Sequence, residues 1–139
     1  MTKEVLITVS GMQRDIEDTP IELVTTGTYY LKNGKHYVIY EEQADESELV
    51  TKNVVKFCEG HFEMTKKGGV HSLLVFDKGQ KTSMVYNTPF GPLQIDVMTK
   101  DLQITEQEDQ LQVYVKYTLD INYSFISECE VHFQVQARG

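Results

Sequence analysis

Apolar and polar residues alternate with a period of two along almost the whole chain, and that pattern predicts strands. Val5, Ile7 and Val9 take one parity against Leu6, Thr8 and Ser10, and Ile21 and Leu23 flank Glu22. The run from Tyr29 to Val38 carries Asn33-Gly34 at its centre. Asn-Gly supplies the two positive φ angles of a type I′ turn, so this run reads as a tight hairpin. Its register sets Leu31 opposite His36, Tyr30 opposite Tyr37 and Tyr29 opposite Val38. A second hairpin turns at Glu59-Gly60, pairing Phe57 with Phe62, Lys56 with Glu63 and Val55 with Met64. One face is then apolar and the other carries an opposite-charge pair, so turn chemistry and patterning agree.

Further turns are expected at Lys67-Gly68-Gly69, at Asp77-Lys78-Gly79, at Pro89 to Pro92 and over the polar stretch Glu106 to Gln110. Strands run between them, from Val70 to Phe76 and from Lys81 to Thr88. Leu93, Ile95, Val97 and Thr99 share one parity, whereas Leu102 and Ile104 take the other. A β-bulge at Lys100-Asp101 accounts for the switch, and bulges bend strands at barrel corners. Leu111 to Leu119 gives a long inward face, and Cys129, Val131, Phe133 and Val135 give another. The chain thus reads as about ten strands in one all-β domain spanning residues 1–139, with little or no helix. A single antiparallel barrel of about 8–10 strands removes exposed edges, and a sandwich is the other all-β solution.

Composition narrows the function classes. The 139 residues carry a net charge of −8, and only Arg14 and Arg138 of the 13 basic residues are arginine. Nucleic-acid binders need a basic stripe to release counterions, and none is visible. An acidic surface also disfavours anionic membranes, and no apolar run approaches the roughly 18 residues of a spanning helix. The first residues lack the layout of a signal peptide, which points to a cytoplasmic protein. Cys58 and Cys129 stand apart, without metal-ligand or redox spacing, and read as thiols.

Two segments carry a family resemblance. Thr25-Thr26-Gly27-Thr28-Tyr29-Tyr30 with the following Tyr40-Glu41-Glu42, and Tyr86-Asn87-Thr88-Pro89-Phe90-Gly91 followed by Leu93 and Thr99, resemble the YwiB-like family of small bacterial proteins. That resemblance implies a calycin-like, lipocalin-shaped β-barrel and brings no catalytic or binding residues with it. Calycins often hold small apolar ligands. The chain has no tryptophan for a Gly-x-Trp feature, and Arg138-Gly139 does not provide an Arg-x-Tyr carboxylate anchor.

No nucleophile elbow, zinc helix, phosphate loop or dinucleotide fingerprint is present, so no catalytic residue, metal or cofactor is expected. His36, His61, His71 and His132 are scattered, which suits surface or rim positions. Cys58 and His61 face each other across a hairpin, but the sequence shows no third group to orient the imidazole. The acidic run from Glu41 to Glu48 fits a solvated loop better than a cation loop, since its spacing is not that of an EF-hand. Tyrosine is abundant, and because Tyr29 and Tyr30 are adjacent, one of them must enter the barrel. The reading that follows is a non-enzymatic barrel for an apolar or aromatic small molecule. Tyr30, Tyr37, Tyr86, Thr88 and Tyr117 are its candidate lining. Tyrosines also fill cores, and a barrel of about eight strands is just wide enough for side chains or one small ligand. The alternative class is an interaction or assembly protein that uses the barrel as scaffold, as a monomer or homodimer.

Overall fold

The computed structural model describes residues 3–13, 21–43, 50–68 and 72–138. The acidic run beyond Gln43, and Val70 and His71, lie outside them. Ten strands follow one another: β1 (Glu4–Gln13), β2 (Ile21–Lys32), β3 (Lys35–Gln43), β4 (Val50–Cys58), β5 (His61–Lys67), β6 (Ser72–Asp77), β7 (Lys81–Thr88), β8 (Gly91–Gln107), β9 (Gln110–Ile121) and β10 (Ser124–Ala137). All pair antiparallel in one sheet, in the order β6-β5-β4-β3-β2-β1-β10-β9-β8-β7. The sheet curls into a nearly closed barrel whose seam lies between β6 and β7. There the Thr82 hydroxyl donates to the Val75 carbonyl at 2.5 Å.

Both hairpin registers follow the turn chemistry. Asn33 and Gly34 take φ of 54° and 75°, and Leu31, Tyr30 and Tyr29 pair with His36, Tyr37 and Val38. Phe57 meets Phe62, Lys56 meets Glu63 and Val55 meets Met64. The parity switch in β8 is a bulge: the register shifts between Thr99 and Asp101. The turn after β6 plugs into it. Gly79 N–H donates to the Thr99 carbonyl at 2.9 Å, and Thr99 N–H donates to the Gln80 carbonyl at 3.2 Å. Past the bulge, β8 keeps Leu102, Ile104 and Glu106 opposite the inward residues Val115, Val113 and Leu111. The following turn is tighter than the polar stretch 106–110 suggested. Gln107 still pairs with Gln110, so only Glu108-Asp109 turn and Glu106 stays on the strand.

One end of the barrel carries the turns at Asn33-Gly34, Glu59-Gly60, Lys78-Gly79 and Glu108-Asp109, together with both chain termini, where Arg138 N–H donates to the Glu4 carbonyl at 3.1 Å. This is the terminus end. The opposite, distal end carries the turns at Pro89-Phe90 and Asn122-Tyr123. The dry core is centred toward the terminus end without being confined to it. Val5, Ile7, Val38, Val55, Val97, Val113, Val115 and Val135 are buried around four phenylalanines, Phe57, Phe62, Phe76 and Phe133. The rings interlock edge to face: Phe62 and Phe133 lie 5.5 Å apart at 69°, Phe57 and Phe133 6.1 Å apart at 75°. Such pairs contribute about 0.5–1.5 kcal/mol each beyond their burial.

Candidate functional site

The period-two pattern decides which side chains point into the barrel, and their exposure changes along its axis. On β9, Leu111, Val113 and Val115 are buried, whereas Tyr117, Leu119 and Ile121 on the same face are only half-buried. On β1, Val5 and Ile7 are buried and Val9 is not; on β5, Phe62 is buried and Met64 is not. Val9, Leu23, Met64, Leu74, Ile95 and Leu119 all pack against the core yet reach solvent. Along β1, β5 and β9 the inward face thus becomes less buried toward the distal end, whereas Asn53 on β4 and Val97 and Thr99 on β8 stay buried. Barrel diameter grows with strand number, and eight strands already leave room for a small ligand.

The inward face of the distal half carries two unlike sets of side chains. One is the apolar set just named. The other is built from the register rows of β3, β4 and β5: Tyr40 opposite Asn53 opposite Lys66, and Glu42 opposite Thr51. Lys66 Nζ reaches Glu42 Oε1 at 3.7 Å, so the two charges offset each other. Burial and the neighbouring Glu42 carboxylate push the Tyr40 phenol well above its usual value. Asn53 shares the inward face with Val55 and Phe57 and is 0% exposed, yet both its Oδ1 and its Nδ2 lack a hydrogen-bond partner. Thr99 Oγ1, on the inward face of β8, is likewise buried and unpartnered. Leaving a buried polar group unpaired costs about 1–3 kcal/mol.

The tyrosines sort differently from the sequence expectation. Tyr29 and Tyr40 face inward; Tyr30 and Tyr37 face out, stacked on each other at 5.0 Å and 6°. These two do not line the interior, because Tyr37 pairs with Lys56 on the charged face of β4. Tyr117 does face inward, its ring 4.7 Å from Phe76. Burial first, then the neighbouring Cys129 thiol to which it hydrogen-bonds, push its phenol up. Tyr86 and Thr88 lie on β7, but their side chains fall outside the described residues. Of the five candidate lining residues, only Tyr117 is thus placed in the interior. Asn53 is the residue the sequence reading passed over. The signal was available, an asparagine at an inward parity between Thr51 and Val55 in an apolar strand.

The terminus end carries a second constellation. Glu106, past the bulge on β8, meets His36, whose Nε2 lies 2.6 Å from Glu106 Oε1 and whose Nδ1 lies 2.7 Å from the Tyr29 hydroxyl. A neutral imidazole that donates from Nε2 and accepts at Nδ1 satisfies both contacts. Its ring stacks on Phe57 at 4.9 Å. Burial and Glu106 raise the Tyr29 phenol, which keeps it a donor. Beside this chain lies a cleft of about 770 Å³ lined by His36, Cys58, Lys78, Leu102 and Glu106 among others. On the outer face, Cys58, His61 and Asp77 fall in one register row. Asp77 does supply the orienting carboxylate that the sequence did not reveal, at 2.5 Å from His61 Nδ1. Nε2, however, meets Glu63 at 3.2 Å, so carboxylates rather than the thiol hold both nitrogens. Among the described residues no group of histidine, cysteine and carboxylate side chains could hold a metal ion, and no helix is long and apolar enough to cross a membrane.

Residues 7–133 match the family described as "Domain of unknown function (DUF1934)". The chain belongs to the DUF1934 family. It is 31% identical over 124 residues to the "Uncharacterized beta-barrel protein YwiB" of Bacillus subtilis strain 168, covering 87% of this chain and 86% of that relative. The crystal structure of that ywiB protein superimposes with a TM-score of 0.81 at 25% identity, covering 99% of this chain and 93% of the other. The ten-stranded barrel is thus a DUF1934 fold, as the two quoted segments implied.

Proposed function

We propose that this DUF1934 barrel is a non-enzymatic binding protein for a small, largely apolar molecule held in its distal half, as in calycin-like barrels. The observation that carries the reading is the gradient of exposure along one inward face, from buried Val115 to half-buried Leu119. Side chains that point into a barrel and still touch solvent line a space that water or a ligand fills. Apolar walls with a few placed polar groups are the usual makeup of small-molecule sites. Neither the His36 chain nor His61 argues for catalysis here, because each imidazole has both nitrogens engaged by protein side chains.

Native mass spectrometry of the protein drawn from its own cells tests this directly. A retained small molecule is expected on the wild type. Leu119→Trp, which fills the distal half, is expected to release it. A bare mass for the wild type, or an adduct kept equally by the filled variant, would contradict the reading.

A further inference from the structure

We propose that the cleft at the terminus end is a docking site for an extended peptide segment of a partner protein, which adds as a strand to the open edge of β8 and sets a basic side chain against Glu106. The inference stands apart from the binding role just proposed and concerns the other end of the barrel.

β7 covers only part of β8. It begins at Lys81, opposite Met98, so the ladder between the two strands spans β8 from Gly91 to Met98. The turn after β6 takes up Thr99. From Asp101 to Gln107, β8 pairs with β9 on one side and, among the described residues, with no strand on the other. The cleft of about 770 Å³ lies there, between Leu102 to Glu106 and the hairpin tips at Gly34 and Gly60. All five consecutive residues from Leu102 to Glu106 line it. Side chains of a strand alternate between two faces, so a cleft against one face would touch every second residue. A cleft touched by all five runs along the backbone edge. Such an edge presents unpaired N–H and C=O groups and is a template for another chain. Proline and lysine, which commonly blunt an edge, are absent from Leu102-Gln103-Ile104-Thr105-Glu106.

In strand addition the main-chain hydrogen bonds supply affinity, and the surroundings of alternate side chains supply specificity. Leu102, Ile104 and Glu106 lie on the inward face, opposite Val115, Val113 and Leu111, whereas Gln103 and Thr105 lie on the outward face and are exposed. A matching strand therefore carries apolar residues beside Leu102 and Ile104 and polar ones beside Gln103 and Thr105. Charge selects the residue beside Glu106. Glu59 and Glu106 are the carboxylates that line the cleft, and the lysine that lines it, Lys78, already lies 3.7 Å from Asp101 Oδ1. The Glu106 side chain is 59% exposed, and its contact with His36 is through Oε1 alone. A lysine or arginine of the peptide offsets this excess of negative charge. A second copy of the chain, with its net charge of −8, matches the cleft poorly.

The test titrates the intact chain with the peptide acetyl-Lys-Thr-Val-Thr-Val-amide, which in an antiparallel register sets lysine opposite Glu106, and follows the backbone amides by NMR. Binding is expected to shift the amides from Leu102 to Glu106. Glutamate in place of the peptide's lysine is expected to weaken it at least about five-fold. Glu106→Gln is expected to bring the two peptides within about two-fold of each other. In an antiparallel pair a given neighbour receives the hydrogen bonds of every second residue. N-methylation is therefore compared at the central valine and at the threonine after it. One of the two is expected to weaken binding at least about ten-fold and the other less than about two-fold. Equal weakening by both, shifts confined to residues away from β8, or no binding with the fold intact by circular dichroism would overturn strand addition. Equal binding of the lysine and glutamate peptides by the wild type would overturn the role of Glu106. Concentration-dependent self-association that shifts the same amides and resists the peptide would overturn the partner in favour of a second copy.

Discussion

Replacing Asn53 by leucine should make the ligand-free protein more stable, an unusual outcome for a fully buried position. The asparagine amide leaves one donor group and one acceptor unpaired at 0% exposure. Each such group costs about 1–3 kcal/mol, and substituting an apolar group of similar shape removes that cost. Taking the lower bound for each, Asn53→Leu gains about 2 kcal/mol. Unfolding entropy of about 2.1 cal/mol/K per residue amounts to about 0.3 kcal/mol/K for this chain, so Tm should rise by about 7 °C. The assay is a thermal melt by calorimetry on protein stripped of small molecules, with urea unfolding to verify that m is unchanged. Asn53→Asp is the control and should lower Tm, because it places a carboxylate where the amide is already unsatisfied. An unchanged or lower Tm for Asn53→Leu would refute the reasoning, since the amide would then have partners in the free protein.

Three further outcomes follow from local geometry. Asp96 is held below the usual carboxylate range by the Ser83 hydroxyl at 2.5 Å, with help from Gln94 and Lys81. Its contribution is present above the unfolded value near 4 and is lost as pH falls through the lower folded value. Ser83→Ala should therefore flatten the fall of Tm between pH 5 and pH 2.5; an unaltered slope would count against the pairing. Tyr29, Tyr40 and Tyr117 are all raised, chiefly by burial. Their stabilisation is full below about pH 10 and is lost as pH rises further, so absorbance titration should show Tyr40 and Tyr117 ionising only with unfolding and Tyr29 later than an exposed tyrosine. Titration of all eight tyrosines together near pH 10 would sink the assignment. Gly27→Ala would set its Cβ 2.5 Å from the Ile39 carbonyl oxygen and 2.5 Å from Ile7 Cδ1. Because backbone must shift, a loss of at least about 1–3 kcal/mol is expected in urea unfolding, and a loss under 0.5 kcal/mol would count against that packing.

The strands and two hairpin registers were legible because turn chemistry and alternation act over a few residues. Asn33-Gly34 and Glu59-Gly60 each fix a pairing without outside help. The bulge in β8 was legible too, as a change of parity between Thr99 and Leu102. Which face looks inward was harder. Tyr29 and Tyr30 pair equally well with β3, and only the pairing of Tyr37 with Lys56 on β4 turns Tyr30 and Tyr37 outward. That pairing spans the connection between β3 and β4, whose register local sequence does not set. The turn at Asn122-Tyr123 escaped notice because tyrosine is not a turn residue. It takes φ of 67° there, with Asn122 Oδ1 accepting from Gln94 N–H at 2.9 Å and the Tyr123 hydroxyl donating to Gln94 at 2.8 Å. The contact between His36 and Glu106 joins residues far apart in sequence on strands that are not neighbours in the sheet, which no short motif encodes.

A crystal structure of the ligand-free protein at a resolution that places ordered water decides most directly whether the distal half is a chamber. The account requires Met64, Leu74 and Leu119 to stand apart across an interior that holds water or a captured small molecule, with the buried Asn53 amide left unpaired. A dry interior in which those side chains meet, and in which protein groups alone pair with Asn53, would contradict it.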